Sequence, residues 1–165
     1  MKKPSAAMQL TRGADYAVRV MVHLALTVSD GHLSLKELAE AVEVPESFLS
    51  KVLQALAHAG LIASRRGHAG GFRITPRGHE SSMREVIEAI DGPIRLNVCL
   101  AHGASCARKA HCPAHPVWVR AQAALFDVLS SVTVAAMATQ AHRLTRIQAP
   151  AANRAADACV SPARQ

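Results

Sequence analysis

The 165-residue chain is half apolar and carries a formal net charge of +7. That is enough material for one domain with an appendage, and enough excess base to attract polyanions, nucleic acid first among them. The opening residues Met1 to Leu10 hold two lysines but no apolar run long enough for a secretion signal. The most apolar stretch, Tyr16 to Val28, is interrupted by Arg19 and His23 and is too short to span a bilayer, so no membrane partner and a cytoplasmic location are expected.

From Asp15 onward, Ala17, Val20, Met21, Leu24, Ala25 and Val28 recur at steps of three and four, which predicts an amphipathic first helix stopped at Ser29-Asp30-Gly31. Ser34 and Glu37 have capping-box spacing at the start of a short second helix that buries Leu35, Leu38, Ala39 and Val42. A brief break at Glu43-Val44-Pro45 precedes a third helix, with the proline at or just before its first position. Two helices joined by so short a turn predict a helix-turn-helix.

On the third helix Phe48, Leu49, Val52, Leu53 and Leu56 are expected to form the buried face, leaving Ser47, Ser50, Lys51, Gln54 and His58 outward. Hydroxyls, an ammonium and an amide at one-turn spacing can reach phosphates and base edges in a major groove, although a merely solvated helix face has the same pattern. Leu61 to Arg66 and Phe72 to Thr75 then predict two strands around the loop Gly67-His68-Ala69-Gly70-Gly71, a wing with Arg65, Arg66 and His68 at or beside its tip. Cations there can enter a minor groove or hold phosphates. The fold class expected is mainly α with a small β wing: a winged helix-turn-helix followed by a long C-terminal dimerisation helix.

A further helix starts near Ser82, again with a capping box to Glu85, buries Val86, Ile87 and Ile90, and stops at Asp91-Gly92-Pro93. Near the C-terminus Trp118, Ala121, Leu125, Val128, Leu129 and Val132 draw an apolar stripe on a helix expected from about Val117 to Ala141. With no obvious partner in its own chain, that stripe is expected to pair with a second copy; a twofold homodimer would carry two heads suited to palindromic double-stranded promoter DNA. Packing inside the monomer is the alternative. The expected organisation is a DNA-binding region at 8–80, a connecting helix at 81–97, a cysteine-rich loop at 98–116, a dimerisation helix at 117–147 and a disordered tail at 148–165.

The chemically distinctive segment is Cys99-x6-Cys106-x5-Cys112-x2-His115. Without a secretory signal its thiols are expected to stay reduced. Three soft thiolates so close together can wrap one metal or cluster, and thiolates select zinc, copper(I) or iron-sulfur centres. His115 is the local candidate for a fourth ligand and Asp15 the distant one. Zinc accepts such a set, although structural zinc sites usually space their cysteines more tightly. Arg108, Lys109 and His111 could also activate the thiols for a metal-free switch, whereas Cys159, in the tail, reads as a bystander. No nucleophile-base pair, carboxylate pair or phosphate loop has recognisable spacing, which argues against an enzyme.

Met8-Gln9-Leu10-Thr11, Asp15-Tyr16-Ala17, the wing Arg66-Gly67-His68-Ala69-Gly70-Gly71-Phe72, Glu85-Val86-Ile87, and Cys99, Cys106 and Cys112 with His115 and Trp118 together resemble the Rrf-two family of bacterial regulators, over about Met8 to Ile147. The resemblance implies a dimeric transcription factor, expected to be a repressor, that senses iron-sulfur, redox or nitric oxide status through a cluster in the cysteine loop. In the IscR-like branch a histidine placed like His115 completes a 2Fe-2S cluster; in the NsrR-like branch an aspartate placed like Asp15, from the other subunit, completes a 4Fe-4S cluster. The first cysteine interval here is one residue longer than in either branch, and Ser50 stands where the IscR-like branch has a DNA-reading glutamate. The alternative function is a zinc-stabilised DNA-binding or protein-interaction module without a sensing role.

Overall fold

A computed structural model describes residues 10–27, 31–67, 70–100 and 106–148. Helix α1 runs Arg12–Leu26, starting a turn earlier than the apolar periodicity suggests because Thr11 caps it, its hydroxyl accepting from the Ala14 N–H. Helix α2, Leu35–Val42, has the expected capping box: the Ser34 N–H donates to Glu37 at 2.7 Å and the Glu37 N–H donates back to the Ser34 hydroxyl. The Ser34 backbone N–H, donating to the ionised carboxylate, and to a smaller extent the Ser34 side chain hold the Glu37 pKa below its ordinary value. The turn into α3, Glu46–His58, places Glu43 in the left-handed region and buries Val44 against the core, with Pro45 as the N-cap.

The wing follows as β1, Ile62–Arg65, and β2, Gly71–Ile74, paired antiparallel with Ile62 opposite Ile74 and Arg65 opposite Gly71. Leu33, in the link between α1 and α2, adds a third rung by exchanging both backbone hydrogen bonds with Phe72, at 3.0 and 2.8 Å. A short helix α4, Pro76–Glu80, fills the stretch after the wing that the sequence pattern left unassigned. The Thr75 hydroxyl that caps α4 also reaches back to the Gly60 and Leu61 carbonyls, and the Arg77 guanidinium donates to the Ala59 carbonyl. The end of α3, the root of the wing and α4 are thereby pinned together.

Helix α5, Met83–Asp91, begins at the expected Ser82–Glu85 capping box. Asp91 at its far end accepts from both the N–H and the hydroxyl of Thr11, joining α5 to the start of α1. Single turns of 3-10 helix at Val98–Leu100 and Lys109–His111 lead into α6, His115–Ser131, and α7, Val134–Gln148.

The expected single helix of residues 117–147 is therefore two helices. Val132, Thr133 and Val134 are consecutive β-branched residues, which lose rotamer freedom in a helix. Val132 is extended, Thr133 forms a bridge with Ser82, and the chain is stitched there by Met83 N–H to Val132 O at 2.8 Å and Val134 N–H to Ser81 O at 2.9 Å. The Thr133 hydroxyl then accepts from the Ala136 N–H and starts α7.

One core joins all of this. Val20, Met21 and Leu24 of α1 meet Leu38 and Val42 of α2, Leu49, Leu53 and Leu56 of α3, Leu61 and Ile62 of the wing root, Val86 of α5 and Val134 of α7. The second half of the expected dimerisation helix thus finds its partner inside the chain, on α1 and α4.

Candidate functional site

On α3 the buried residues are Leu49, Val52, Leu53 and Leu56, so Ser47, Lys51, Gln54 and His58 are exposed and Ser50 half-buried, as the polar pattern predicts. Phe48 departs from that pattern. It was expected in the core, but lies about a quarter turn off the buried face, is 44% exposed, and meets Tyr16 of α1 edge to face at 5.4 Å. The ring shares an open depression with Thr11, Arg12, Gly13, Lys51, Val52, Ala55 and Ile90.

Arg65 and Arg66 are exposed at the outer end of the wing. His68 and Ala69 lie outside the described residues; on either side of them the Gly70 N–H donates to the Gly67 carbonyl at 2.9 Å. The sequence reading missed Arg73. Strand register sets it opposite Ala63, two residues from Arg65, so by strand alternation the two exposed arginines share one face of the hairpin. Counting alternate positions back from the glycines would have found it.

The cysteine loop bridges α5 and α6. Cys99 lies in the first 3-10 turn, half-buried; Cys106 is exposed just before the second; Cys112 ends the second, half-buried; all three are free thiols. Backbone turns link the later donors: Lys109 N–H to Cys106 O at 2.9 Å and His115 N–H to Cys112 O at 3.1 Å. His115 opens α6, and its Nδ1 is buried without a hydrogen-bond partner among the described residues, which is costly for an imidazole nitrogen unless something else engages it. The Gln122 side-chain oxygen accepts from the Leu96 N–H at 3.1 Å, and Glu88 accepts from the Ile94 N–H, so the entry strand of the loop is tied to both flanking helices.

As a donor set these groups suit a thiolate-seeking metal or cluster. Among the described residues, however, no three His, Cys, Asp or Glu side chains converge at ligating distance. Asp15 is half-exposed on the first turn of α1 and ion-paired to Arg19 at 2.9 Å. Residues 101–105, between Cys99 and Cys106, lie outside the described residues, as does Cys159.

The apolar stripe of α6 is split between two faces. Trp118, Leu125 and Leu129 are half-buried, on the side that carries Gln122 and Phe126. Ala121 and Val128 face outward with Val117 and Ala124, and Val132 lies in the break. No residue of α6 is fully buried, and Val117, Val119 and Val128 are among the most exposed large apolar side chains described. No helix described is long and apolar enough to cross a membrane.

Residues 10–140 match the Rrf2 family, an iron-dependent transcriptional regulator family. The chain belongs to the Rrf2 family. Among its relatives is the HTH-type transcriptional regulator IscR of Vibrio parahaemolyticus, 30% identical over 132 residues that cover 80% of this chain and 78% of that one. Among solved structures, CymR, the global cysteine regulator of B. subtilis, superposes with a TM-score of 0.63 at 26% identity, over 80% of this chain and 97% of that one. IscR of T. potens gives 0.61 at 26% identity, over 81% and 88%. This Rrf2 protein is thus a DNA-binding transcription regulator with a winged-helix fold, and not an enzyme.

Proposed function

We propose that the protein acts as a homodimeric repressor whose affinity for a palindromic promoter site depends on an iron-sulfur cluster held by Cys99, Cys106 and Cys112. The observation that carries this is the Nδ1 of His115, buried with no hydrogen-bond partner among the described residues, on a residue whose backbone is tied to Cys112 at the end of a loop bearing three free thiols. It favours His115 as the fourth ligand over Asp15, which is already engaged by Arg19. Binding has to draw the thiols together, since they do not converge without it. A bound cluster would supply a centre reactive toward oxygen, nitric oxide and iron shortage. What this chain adds is coupling: the loop is tied to α5 through Glu88, and α5 packs on α1 and α3. A cluster changes DNA affinity only if it favours one arrangement of these helices over another.

In this reading Ser47, Ser50, Lys51 and Gln54 enter the major groove, while Arg65, Arg66, Arg73 and His68 grip the backbone or minor groove. The outward face of α6, with Val117, Ala121, Ala124 and Val128, packs on its twin, small alanines permitting close approach.

Oxygen-free purification with absorption spectra and iron, sulfide and zinc analysis tests the proposal. A coloured protein with iron and sulfide is expected, with the colour lost in Cys106→Ala, altered in His115→Ala and retained in Asp15→Ala, and a dimer by sedimentation throughout. A colourless protein with stoichiometric zinc would replace it with the zinc-stabilised module.

A further inference from the structure

We propose that Phe48 is a specificity-determining residue of α3 that contacts the C5-methyl group of a thymine. The proposal rests on the seating of α3 in the major groove and adds what that helix recognises there.

Phe48 lies in the first turn of α3 and is the only large apolar side chain described on that helix that is exposed. A single exposed phenyl ring is unremarkable on a protein surface. This one differs in its setting. Tyr16 meets it at an interplanar angle of 88°, and the Tyr16 ring in turn lies 5.9 Å from the Arg19 guanidinium. Edge-to-face packing on Tyr16 restrains the ring, so less conformational freedom remains to be lost on contact. Ser47 precedes it and Lys51 follows one turn later, both exposed. The depression beside the ring has an apolar wall of Val52, Ala55 and Ile90 and two cations, Arg12 and Lys51.

An apolar ring flanked by cations matches what a duplex presents at a groove edge. The cations can meet phosphates, which position the protein without informing it of sequence. Among the base edges of the major groove, the thymine methyl is the apolar feature, and phenylalanine is one of the side chains that recognises it. Cytosine lacks that methyl group, so the contact separates the two pyrimidines.

The test uses the full-length protein, prepared without oxygen, and duplexes selected by it from a random pool. Each thymine of the selected site is replaced singly by deoxyuridine, which removes only the methyl group. At one thymine per half-site the wild type should lose about fourfold in affinity, the worth of one buried methyl. Phe48→Ala should bind the thymine and deoxyuridine duplexes equally, and Phe48→Leu should keep part of the preference; circular dichroism checks that both fold. An unchanged methyl preference in Phe48→Ala, or a wild type indifferent to every methyl deletion, overturns the proposal. So does a Phe48→Ala protein whose oligomeric mass changes while its methyl preference does not, which would assign the ring to a contact between copies. Lys51→Ala and Gln54→Ala separate the two levels. If both weaken binding and the Phe48 result is negative, the thymine contact alone falls; if neither weakens it, α3 is not in the groove.

Discussion

The guanidinium of Arg84 lies 3.7 Å from the ring centroid of Phe126, stacking a cation of α5 on an aromatic ring of α6, while its Nε pairs with Glu88 at 3.2 Å. This is the clearest side-chain clasp between the helix packed into the head and the helix that follows the cysteine loop. Arg84→Ala and Phe126→Ala should each lower stability, and a double-mutant cycle in urea should return an interaction of about 1 kcal/mol, between the exposed and desolvated limits for a cation over a ring. An interaction near zero would mean that the Arg84–Phe126 contact does not help hold α6 and that Gln122 and the half-buried apolar side chains do so instead.

Acid should loosen the capping boxes. The Ser82 N–H and hydroxyl both donate to Glu85 Oε2, at 2.8 and 2.9 Å, and hold its pKa below the ordinary 4.5, the backbone bond contributing most and Arg77 and Arg84 less. With the folded value depressed, the unfolded chain takes up its proton first as pH falls. The stabilisation is therefore complete above about 4.5 and disappears as pH drops through the lower folded value. Glu85→Gln, and more so its combination with Glu37→Gln, should flatten the fall in melting temperature below pH 4.5 relative to wild type. Curves that stay parallel would contradict this.

Gly71 starts β2 at the outer end of the hairpin, opposite Arg65 and against Leu33. Its φ of +152° suits glycine, and an added Cβ would run into the Leu33 carbonyl, the group that pairs with Phe72. Gly71→Ala should cost about 1–3 kcal/mol, as other residues held in glycine-only conformations do. It should also weaken DNA binding more than its effect on folding explains, because the wing has to move; unchanged affinity in the folded variant would count against that.

Arg66 is exposed at the outer end of β1 and has no ion-pair partner among the described residues. Arg66→Ala should weaken binding to all duplexes alike and reduce the slope of log affinity against log salt by about one, as loss of one phosphate contact does. A change confined to particular sequences would instead make Arg66 a base-reading residue.

Much of the head was legible from local chemistry. Ser34 with Glu37 and Ser82 with Glu85 announced their helices because a capping box is contained within four residues, and the glycines around His68 announced the hairpin for the same reason. What escaped depended on distant partners. The turn at Val132–Thr133 exists because the Ser81 carbonyl and the Met83 N–H, far upstream in the chain, supply its hydrogen bonds, and apolar spacing alone runs straight through it. Phe48 is expected in the core for its apolarity, yet it sits about a quarter turn from the buried stripe, where Tyr16 packs it edge to face. The three cysteines were visible as a chemical set, but their spacing in sequence does not bring the thiols together in the fold.

Because α7 returns to α1, these two helices belong to one packed unit, and residues 92–131 become a cassette inserted between two parts of one body. Its two junctions, at Gly92 and at Val132, belong to a head whose buried core, among the described residues, takes no side chain from it. A chimaera carrying a relative's cysteine segment and α6 should therefore be cut at those two points, keeping α7 with its native head; a graft that runs on past α7 would remove Val134 from the core and exchange part of the scaffold along with the cysteine segment.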